Sequence, residues 1–249
     1  EVNRILCDHV STLLFSPTKS GFNNLLNEGF SKENSNNASA DHPNIYHCGD
    51  VMYDNSMYFS KLSDENSDIL EKLKLQNEKF ILATVHRNDN TDSKIKLTDL
   101  FTTFLQITEI HQLKIILPLH PRTSKMMDQL LDSKLLKKIQ KSNLLTIINP
   151  AGFLDMIALE KNAELIITDS GGVQKEAYFF KKPCIILRPQ TEWKEIVETK
   201  SAVISDTNSK IILEATERFL ANPDLVFPEV FGNGNAASFI AQEMLDQFS

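Results

Sequence analysis

A strand–turn–helix segment in the second half of the chain carries residues that could hold an anion. Residues 165–167 form an apolar run, Asp-Ser-Gly-Gly follows at 169–172, and a helical pattern covers 173–181. Glycines lack Cβ, so backbone N–H groups can approach phosphate oxygens where the helix dipole favours negative charge. Ser170 could donate its hydroxyl to the same oxygens. Alternatively, Asp169 or Ser170 only caps the helix and the glycines shape the turn. The segment alone leaves both interpretations open.

Other candidate residues directly follow apolar runs. His86 follows 80–85, His120 follows the run at 113–119, and Arg188 follows 184–187. Histidine could donate a proton or bind phosphate there, and arginine could bind phosphate or carboxylate. A capping or core histidine and a surface arginine are the alternatives. Glu176, six residues past Ser170, could accept hydrogen bonds from a ribose diol, although spacing alone favours a solvated glutamate.

Regular alternation of apolar runs and helical patterns predicts the elements that position these residues. The runs are 80–85, 113–119, 144–148, 165–167, 184–187 and 202–204, and the helical patterns lie near 95–110, 123–140, 153–162, 173–181, 192–199 and 209–221. Such alternation predicts an α/β fold with a doubly wound, Rossmann-like parallel sheet covered on both faces. Ligands of such sheets bind beyond the carboxyl ends of the strands. Two histidines, three arginines (Arg87, Arg122 and Arg188) and the glycine-rich turn should therefore share one sheet edge and form an anion site there.

The first 60 residues carry fewer strand signals. Helical patterns at 2–10 and 19–29 accompany two predicted strands, one ending before Pro17 and one beginning at Asn44. The polar segment 31–43 between them predicts an exposed loop.

Bulk composition excludes several classes of function. The 249 residues carry a net charge of −7, which argues against general nucleic-acid binding. Three cysteines, at 7, 48 and 184, lack metal-ligand spacing, which predicts no metal site and a reducing, cytoplasmic location. No run of about 18 apolar residues and no leader pattern is present, so neither a membrane partner nor secretion is expected.

Several motifs together resemble one family, the non-hydrolysing UDP-N-acetylglucosamine 2-epimerases. The main match is Thr-Asp-Ser-Gly-Gly-Val-Gln-Lys-Glu-Ala at 168–177, with Lys-Pro at 182–183 and the segment 188–192. Further matches in family order are Phe-Ser-Pro-Thr at 15–18, Gly-Asp-Val at 49–51, His-Arg-x-Asp-Asn at 86–90, Pro-Leu-His-Pro at 118–121 and Gly-Asn-Gly at 232–234.

The resemblance implies a glycosyltransferase-B-type fold with an incomplete first domain. Residues 1–74 would be the remnant of the N-terminal Rossmann-like domain, and 75–235 the C-terminal UDP-binding domain. Residues 236–249 would form a helix that packs back on the first domain. The full-length family member is expected to be a homodimer.

The reaction implied is inversion at C2 of a UDP-N-acetylhexosamine, without a cofactor. UDP is eliminated to give a 2-acetamidoglucal and then added back to the opposite face. The catalytic residues implied are His86 at the diphosphate and reacting centre, Arg4 on the sugar side, and Glu1 in or beside the family's Pro-Glu-Glu-x-Asn-Arg motif. The implied UDP-binding residues are Ser170, Gly171 and Gly172 (diphosphate), Glu176 (ribose), Met156 (uracil), and His120 and Arg188.

One departure from the family pattern leaves other functions open. The catalytic carboxylates and the Arg/Lys loop of the family's first 120-odd residues are not found, so this chain is expected to be a fragment that binds UDP without turnover. A catalytically inactive UDP-binding remnant and a glycosyltransferase-B enzyme are the alternatives. Lys175, Trp193 and the aromatic run 178–180 are similar to the branch acting on UDP-diacetamido-uronic acids, enzymes of cell-envelope polysaccharide synthesis.

Overall fold

A computed structural model describes residues 2–222 and 224–248. Its strands in these ranges are β1 (Leu13–Ser16), β2 (Asn44–His47), β3 (Phe80–Thr84), β4 (Lys114–Pro118), β5 (Leu145–Ile148), β6 (Leu165–Thr168), β7 (Cys184–Ile186) and β8 (Ala202–Ile204). Its helices are α1 (Val2–His9), α2 (Lys19–Asn27), α3 (Val51–Asn66), α4 (Ile69–Lys72), α5 (Asn88–Thr91), α6 (Lys94–His111), α7 (Pro121–Leu130), α8 (Ser133–Lys141), α9 (Phe153–Asn162), α10 (Gly171–Phe179), α11 (Lys194–Glu198), α12 (Ser209–Ala221) and α13 (Ala236–Phe248).

The chain divides into two compact units. Glu1–Tyr58 together with Pro228–Ser249 form one, here called the terminal unit, and Phe59–Phe227 form the other, the central unit. The domain division predicted from the sequence, with boundaries at 74/75 and 235/236, stays a prediction. Within the described ranges, no helix is both long and apolar enough to cross a bilayer.

A six-stranded parallel sheet forms the middle of the central unit. Its strand order is β5-β4-β3-β6-β7-β8, with Ile81 in register with Ile115 on one side and with Leu165 on the other. The chain thus builds outward from β3 in one direction and returns to build outward from β6 in the other. The predicted doubly wound parallel sheet is confirmed, and its topological switch point lies between β3 and β6.

Burial on both faces explains why these strands read as unbroken apolar runs. All five residues of β3 are buried, as are all four of β6. Helices cover the sheet, and Phe101 and Phe104 of α6 are fully buried in an apolar cluster that also contains Phe219 of α12. Neither strand face meets water, so alternation of polar and apolar residues has no role here.

The single helix predicted near 123–140 is wrong, because two helices occupy that stretch. Leu131 leaves the helical conformation after α7, with ψ of 144°. Asp132 then caps α8, accepting a hydrogen bond from the Leu135 N–H at 2.8 Å. Asp132 at this N-cap accepts from an N–H group that has no partner within the new helix. The chain can therefore end one helix and begin another without interrupting the helical pattern of its sequence.

Helix α3 has no counterpart among the sequence predictions. Its inward residues include Ser56, Ser60 and Ser63, all at most 5% exposed. The Ser63 hydroxyl donates to the Leu154 carbonyl at 2.7 Å. Small polar residues on the buried side remove the apolar periodicity by which an amphipathic helix is recognised.

The terminal unit contains a two-stranded parallel sheet with its own small core. Leu13 of β1 pairs with Asn44 of β2, and the core side chains are Leu14, Phe22, Leu25, Phe30 and Ile45. The segment 31–43 between α2 and β2 contains neither helix nor strand and is mostly exposed, as predicted. Helix α13 packs here, with the Phe239 ring 5.8 Å from that of Tyr46.

Two glycines bring distant parts of the terminal unit into backbone contact. Gly49 and Gly232 have φ of 86° and 85°, and the Asp50 N–H donates to the Phe231 carbonyl at 2.9 Å. A Cβ on Gly232 would lie 2.8 Å from the Cα of Gly49. Only glycine combines this conformation with so close an approach, so the motifs at 49–51 and 232–234 meet at one place.

Candidate functional site

A cavity of about 390 Å³ lies in the central unit at the carboxyl ends of the strands. Parts of β3 and β4 and the starts of three helices border it. The lining residues are Thr84, Val85, His86, Pro118, His120, Arg122, Pro150, Ala151, Met156, Ser170 and Val173. The cavity therefore occupies the switch-point side of the sheet, where open α/β sheets bind ligands.

Three helix N-termini give this cavity a positive electrostatic character. His120 is the N-cap of α7, Ser170 is the N-cap of α10, and Ala151 directly precedes Gly152, the N-cap of α9. Each N-terminus carries partial positive charge from its unpaired N–H groups. An anion is favoured here even though the whole chain carries a charge of −7.

Ser170 and the two glycines after it form the start of α10. The Ser170 hydroxyl oxygen accepts from the Val173 N–H at 3.4 Å, so the capping role is confirmed. Its hydroxyl hydrogen stays available to a ligand, because the cap uses only a lone pair. Within residues 2–222 and 224–248, no hydrogen bond occupies the N–H groups of Gly171 and Gly172, which lie in the first helical turn.

Asp169 connects the tips of the two central strands. Its side chain is completely buried and accepts hydrogen bonds from the His86 N–H at 3.0 Å, the Arg87 N–H at 3.0 Å and the Asn90 amide at 3.1 Å. The His86 Nδ1 lies 3.0 Å from an Asp169 oxygen. The Asn90 amide also donates to the Leu187 carbonyl at 2.9 Å, which ties β7 to the same cluster.

The contact between Asp169 and His86 shifts the pKa of both groups. Its hydrogen bond to Asp169 raises the pKa of His86, outweighing the opposite effects of burial and of the Arg87 charge. Burial raises the pKa of Asp169, but the hydrogen bonds from His86, Arg87 and Asn90 outweigh burial and leave that pKa below its ordinary value. The geometry thus favours a protonated imidazole beside an ionised carboxylate.

His120 and Arg122 border the cavity from α7. The His120 Nδ1 accepts the Arg122 N–H at 3.2 Å, so the histidine caps its helix as well as lining the cavity. The Arg122 guanidinium contacts both carboxylate oxygens of Asp92 at 2.7 Å and also the Asn88 side chain. Asp92 fixes this guanidinium at the cavity wall. Arg122, which directly follows the Pro-Leu-His-Pro motif, is one of the three arginines that the sequence predicted at this sheet edge, and it lines the cavity.

Arg188 lies beside the start of α10 and outside the residues that line the cavity. Its guanidinium binds Glu192 through two hydrogen bonds of 2.7 Å. The hydrogen bond from Arg188 lowers the pKa of Glu192 to about 2. A Cβ built on Gly171 would lie 3.8 Å from this guanidinium. Trp193 fixes the same turn, because its Nε1 donates to the Gly171 carbonyl at 2.9 Å.

Glu176 lies in the second turn of α10, near a second buried carboxyl. It is half-buried, whereas Glu160 of α9 is 1% exposed and has an oxygen with no hydrogen-bond partner among the described residues. Burial raises the pKa of both groups, and the neighbouring Glu176 charge raises that of Glu160 further. Glu176 is not one of the cavity-lining residues, whereas Met156 is.

The remaining predicted catalytic residues belong to the terminal unit or lie outside the description. Arg4 of α1 forms ion pairs with Asp8 and with Glu28, the latter at 2.6 Å. Its hydrogen bond to Arg4 lowers the pKa of Glu28. Glu1 lies outside the described residues. The structure therefore brings His86, His120, Met156 and Ser170 to one cavity, with Gly171, Gly172 and Arg188 beside it.

Sequence reasoning missed the central role of Asp169 and Asn90. Both occur in motifs singled out from the sequence, and Asp169 is predicted at the anion-binding edge or as a helix cap, but no contact between Asp169 and the segment after β3 is predicted. The available signal was position, since Asp169 directly follows β6 and Asn90 lies in α5, the short helix that comes soon after β3. That signal acquires its meaning only when β3 and β6 are known to be neighbours.

Comparison with known proteins identifies the family to which this arrangement belongs. The sequence model of the UDP-N-acetylglucosamine 2-epimerase family matches residues 1–245. A UDP-N-acetylglucosamine 2-epimerase homolog of Methanococcus maripaludis is 42% identical over 97% of this chain and 63% of its own length. A UDP-2,3-diacetamido-2,3-dideoxy-D-glucuronate 2-epimerase of Pseudomonas aeruginosa is 37% identical over 97% of this chain and 62% of its own.

A solved structure agrees with the sequence comparisons. The UDP-GlcNAc 2-epimerase of Methanocaldococcus jannaschii, in complex with UDP-GlcNAc and UDP, superposes with a TM-score of 0.81 and 35% identity over 98% of this chain and 64% of its own. The chain thus spans less than two thirds of the length of these relatives. The predicted α/β, glycosyltransferase-B-type fold class is confirmed. From its first residues to the C-terminal helix, the chain belongs to the UDP-N-acetylglucosamine 2-epimerase family.

Proposed function

We propose that the chain binds the UDP part of a UDP-N-acetylhexosamine in the cavity of the central unit and serves its 2-epimerisation. The observation that carries the proposal is the cavity itself, in which helix N-termini and cationic side chains accompany an apolar wall. Val85, Pro118, Pro150 and Met156 supply apolar surface suited to a planar base. The free N–H groups at the start of α10 suit a diphosphate.

The relatives support the identity of the ligand. The Methanocaldococcus jannaschii protein was crystallised with UDP-GlcNAc and UDP, and the cavity here lies where doubly wound sheets bind nucleotides. Ser170, Gly171 and Gly172 would hold the diphosphate, Met156 would lie near the uracil and Glu176 would accept hydrogen bonds from the ribose. Arg188 would add positive charge near the diphosphate, and His120, whose Nδ1 accepts from the Arg122 N–H, would donate its Nε2–H.

Epimerisation at C2 requires departure of UDP followed by its return to the opposite face. Departure leaves negative charge on the diphosphate, and a protonated His86 at the cavity wall would stabilise that charge. Removal and return of the C2 proton require a base and an acid. Arg4 and Glu1 are proposed for the sugar side, and the homodimer and the cytoplasmic location are proposed with them.

Calorimetry with UDP and UMP tests the binding proposal. UDP should bind at least tenfold more tightly than UMP, because a charged hydrogen-bond acceptor at the helix start contributes about 1.5–3 kcal/mol. Ser170→Ala should weaken UDP binding by about tenfold or more and UMP binding much less. Equal affinities for UDP and UMP would refute the proposal that α10 binds the terminal phosphate.

Asn208→Ala is the matched control for Ser170→Ala. Asn208 caps α12 by accepting the Ile211 N–H at 3.2 Å, and it does not line the cavity. Loss of either cap costs about 1 kcal/mol of stability. Only the Ser170 variant should lose UDP affinity, which separates a ligand contact from general loosening of the fold.

A second candidate function is UDP binding without catalysis. The observation that favours it is that, among the residues that the structure describes, those lining the cavity include two histidines and an arginine but no carboxylate. Incubation with UDP-GlcNAc in deuterated water distinguishes the two, because proton removal at C2 exchanges that hydrogen with solvent. Formation of the epimer with deuterium at C2 supports the epimerase function. Tight UDP binding with neither epimer formation nor deuterium incorporation supports UDP binding without catalysis. Membership of the epimerase family disfavours a glycosyltransferase.

A further inference from the structure

Asp169 carries a buried negative charge that the proposed UDP contacts do not use. Its side chain has no solvent exposure, and burying an unpaired carboxylate is costly. The segment from His86 to Asn90 supplies donors to both oxygens. Two of these donors are backbone N–H groups directly after β3, and the carboxylate itself directly follows β6. Asp169 therefore holds the tips of the two strands that border the switch point together.

The same carboxylate determines how the His86 ring is used. Its Nδ1 lies 3.0 Å from the Asp169 Oδ1, so the ring donates this N–H to the carboxylate. The other ring nitrogen, Nε2, is left for a ligand, and His86 is one of the cavity-lining residues. The histidine side chain is 48% exposed, whereas the aspartate side is closed to solvent. An accessible imidazole is thus fixed from behind by a buried anion.

We propose that Asp169 is the positioning residue of His86, holding the imidazole by Nδ1 so that Nε2 donates a proton-bearing, cationic contact to the diphosphate in the cavity. The identity of that ligand rests on the proposed function, but the pairing of the two side chains does not. Asp169 acts through His86 and has no predicted contact with the substrate. Its role resembles that of any carboxylate that orients a histidine and fixes its tautomer.

Surrounding charges make Asp169 the group that favours a protonated His86. The Arg87 charge lowers the pKa of His86, as does burial, whereas Asp169 raises it by hydrogen bonding and by its charge. The charged and titratable groups around the pair are Arg87, Asp89 and Asp92 after β3, His120 and Arg122 at the start of α7, and Arg188 and Glu192 after β7.

An NMR titration of ¹³C-labelled histidine tests this proposal without any nucleotide. The chain has six histidines, and His86→Gln assigns the signal of interest. In the wild-type protein the pKa of His86 should lie above that of an ordinary histidine, which is about 6.5. In Asp169→Asn, which keeps the side-chain size and removes the charge, the His86 pKa should fall. UDP affinity at pH 7 should fall about tenfold with it, as expected for loss of a charge-assisted hydrogen bond.

Asn90→Ala is the matched control. It removes a neutral donor from the same carboxylate and the tie to Leu187, but it leaves the pair of His86 and Asp169 in place. A purely structural role for Asp169 predicts that both variants lose thermal stability and UDP affinity to similar extents. The proposed role predicts that only Asp169→Asn lowers the His86 pKa and the UDP affinity together.

An unchanged His86 pKa in folded Asp169→Asn would overturn the proposal. If that variant does not fold, the ¹⁵N chemical shifts of the wild-type His86 ring test the proposal instead. A His86 pKa at or below the ordinary histidine value would overturn it equally. A protein that bound no UDP would refute the proposed function, while the titration would still decide the pairing. The two failures are therefore distinguishable.

Discussion

Replacing Gly232 by alanine should destabilise the terminal unit much more than replacing Gly234. The two glycines have the same backbone conformation, with φ of 85° and 86°. A Cβ on Gly232 would lie 2.8 Å from the Cα of Gly49, whereas a Cβ on Gly234 would meet nothing within 4 Å. The pair thus separates the cost of left-handed conformation from the cost of close backbone approach.

The expected magnitudes follow from these two terms. A non-glycine residue in the left-handed region costs about 1–2 kcal/mol, and this is the whole expected effect of Gly234→Ala. Carbon atoms in contact normally lie about 3.5–4.0 Å apart, so Gly232→Ala must also move backbone. Overpacking of this kind adds about 1–3 kcal/mol. Gly232→Ala should therefore lower the free energy of unfolding by about 2–5 kcal/mol.

Thermal and urea unfolding, followed by far-ultraviolet circular dichroism, measure the difference. In a unit of this size, 1 kcal/mol lowers the Tm by about 4–8 °C, so the two variants should be clearly separated. Gly49→Ala provides a reciprocal test, because its Cβ would lie 3.0 Å from the Phe231 carbonyl oxygen. Equal losses for Gly232→Ala and Gly234→Ala would refute the close approach and the meeting of the two motifs.

Three further predictions concern the central unit and the cysteines. Glu160→Gln should raise stability by about 1 kcal/mol at pH 8, since it removes a buried carboxyl with an unpartnered oxygen. Burial holds the pKa of Glu160 in the folded protein above its value in the unfolded chain, so ionisation of Glu160 destabilises the fold as the pH rises. The stability advantage of Glu160→Gln, measured by urea unfolding, should therefore shrink as the pH falls and vanish near pH 4, where Glu160 is mostly protonated in both states. Trp193, the only tryptophan, contacts Gly171 and should report UDP binding by a saturable fluorescence change; a silent signal during binding seen by calorimetry would contradict this contact. An alkylating reagent should modify exposed Cys7 in the native protein and Cys184 only after unfolding, because burial raises the pKa of the Cys184 thiol. Peptide mass spectrometry after timed labelling measures both rates.

The sequence by itself determined the local elements of this protein and the residues at their ends. Short apolar runs predicted each strand of the central sheet to within a residue or two, since strands covered on both faces have no polar positions. The residues after those runs included His86, His120 and Ser170, which line one cavity. Local patterns are legible because periodicity and helix caps act within a few residues.

Only the tertiary structure decided which strand ends are neighbours. Residues of β3 and β6 that pair, such as Ile81 and Leu165, are joined by backbone hydrogen bonds that any residue types can make. The sequence of a strand therefore does not indicate which other strand lies beside it. The contact of Asp169 with His86 and the approach of Gly49 to Gly232 depend on such long-range pairing. The buried serines of α3 could not be recognised from the sequence for the same reason. A buried hydroxyl needs a hydrogen-bond acceptor, and for Ser63 that acceptor is the carbonyl of Leu154, which is distant in the sequence.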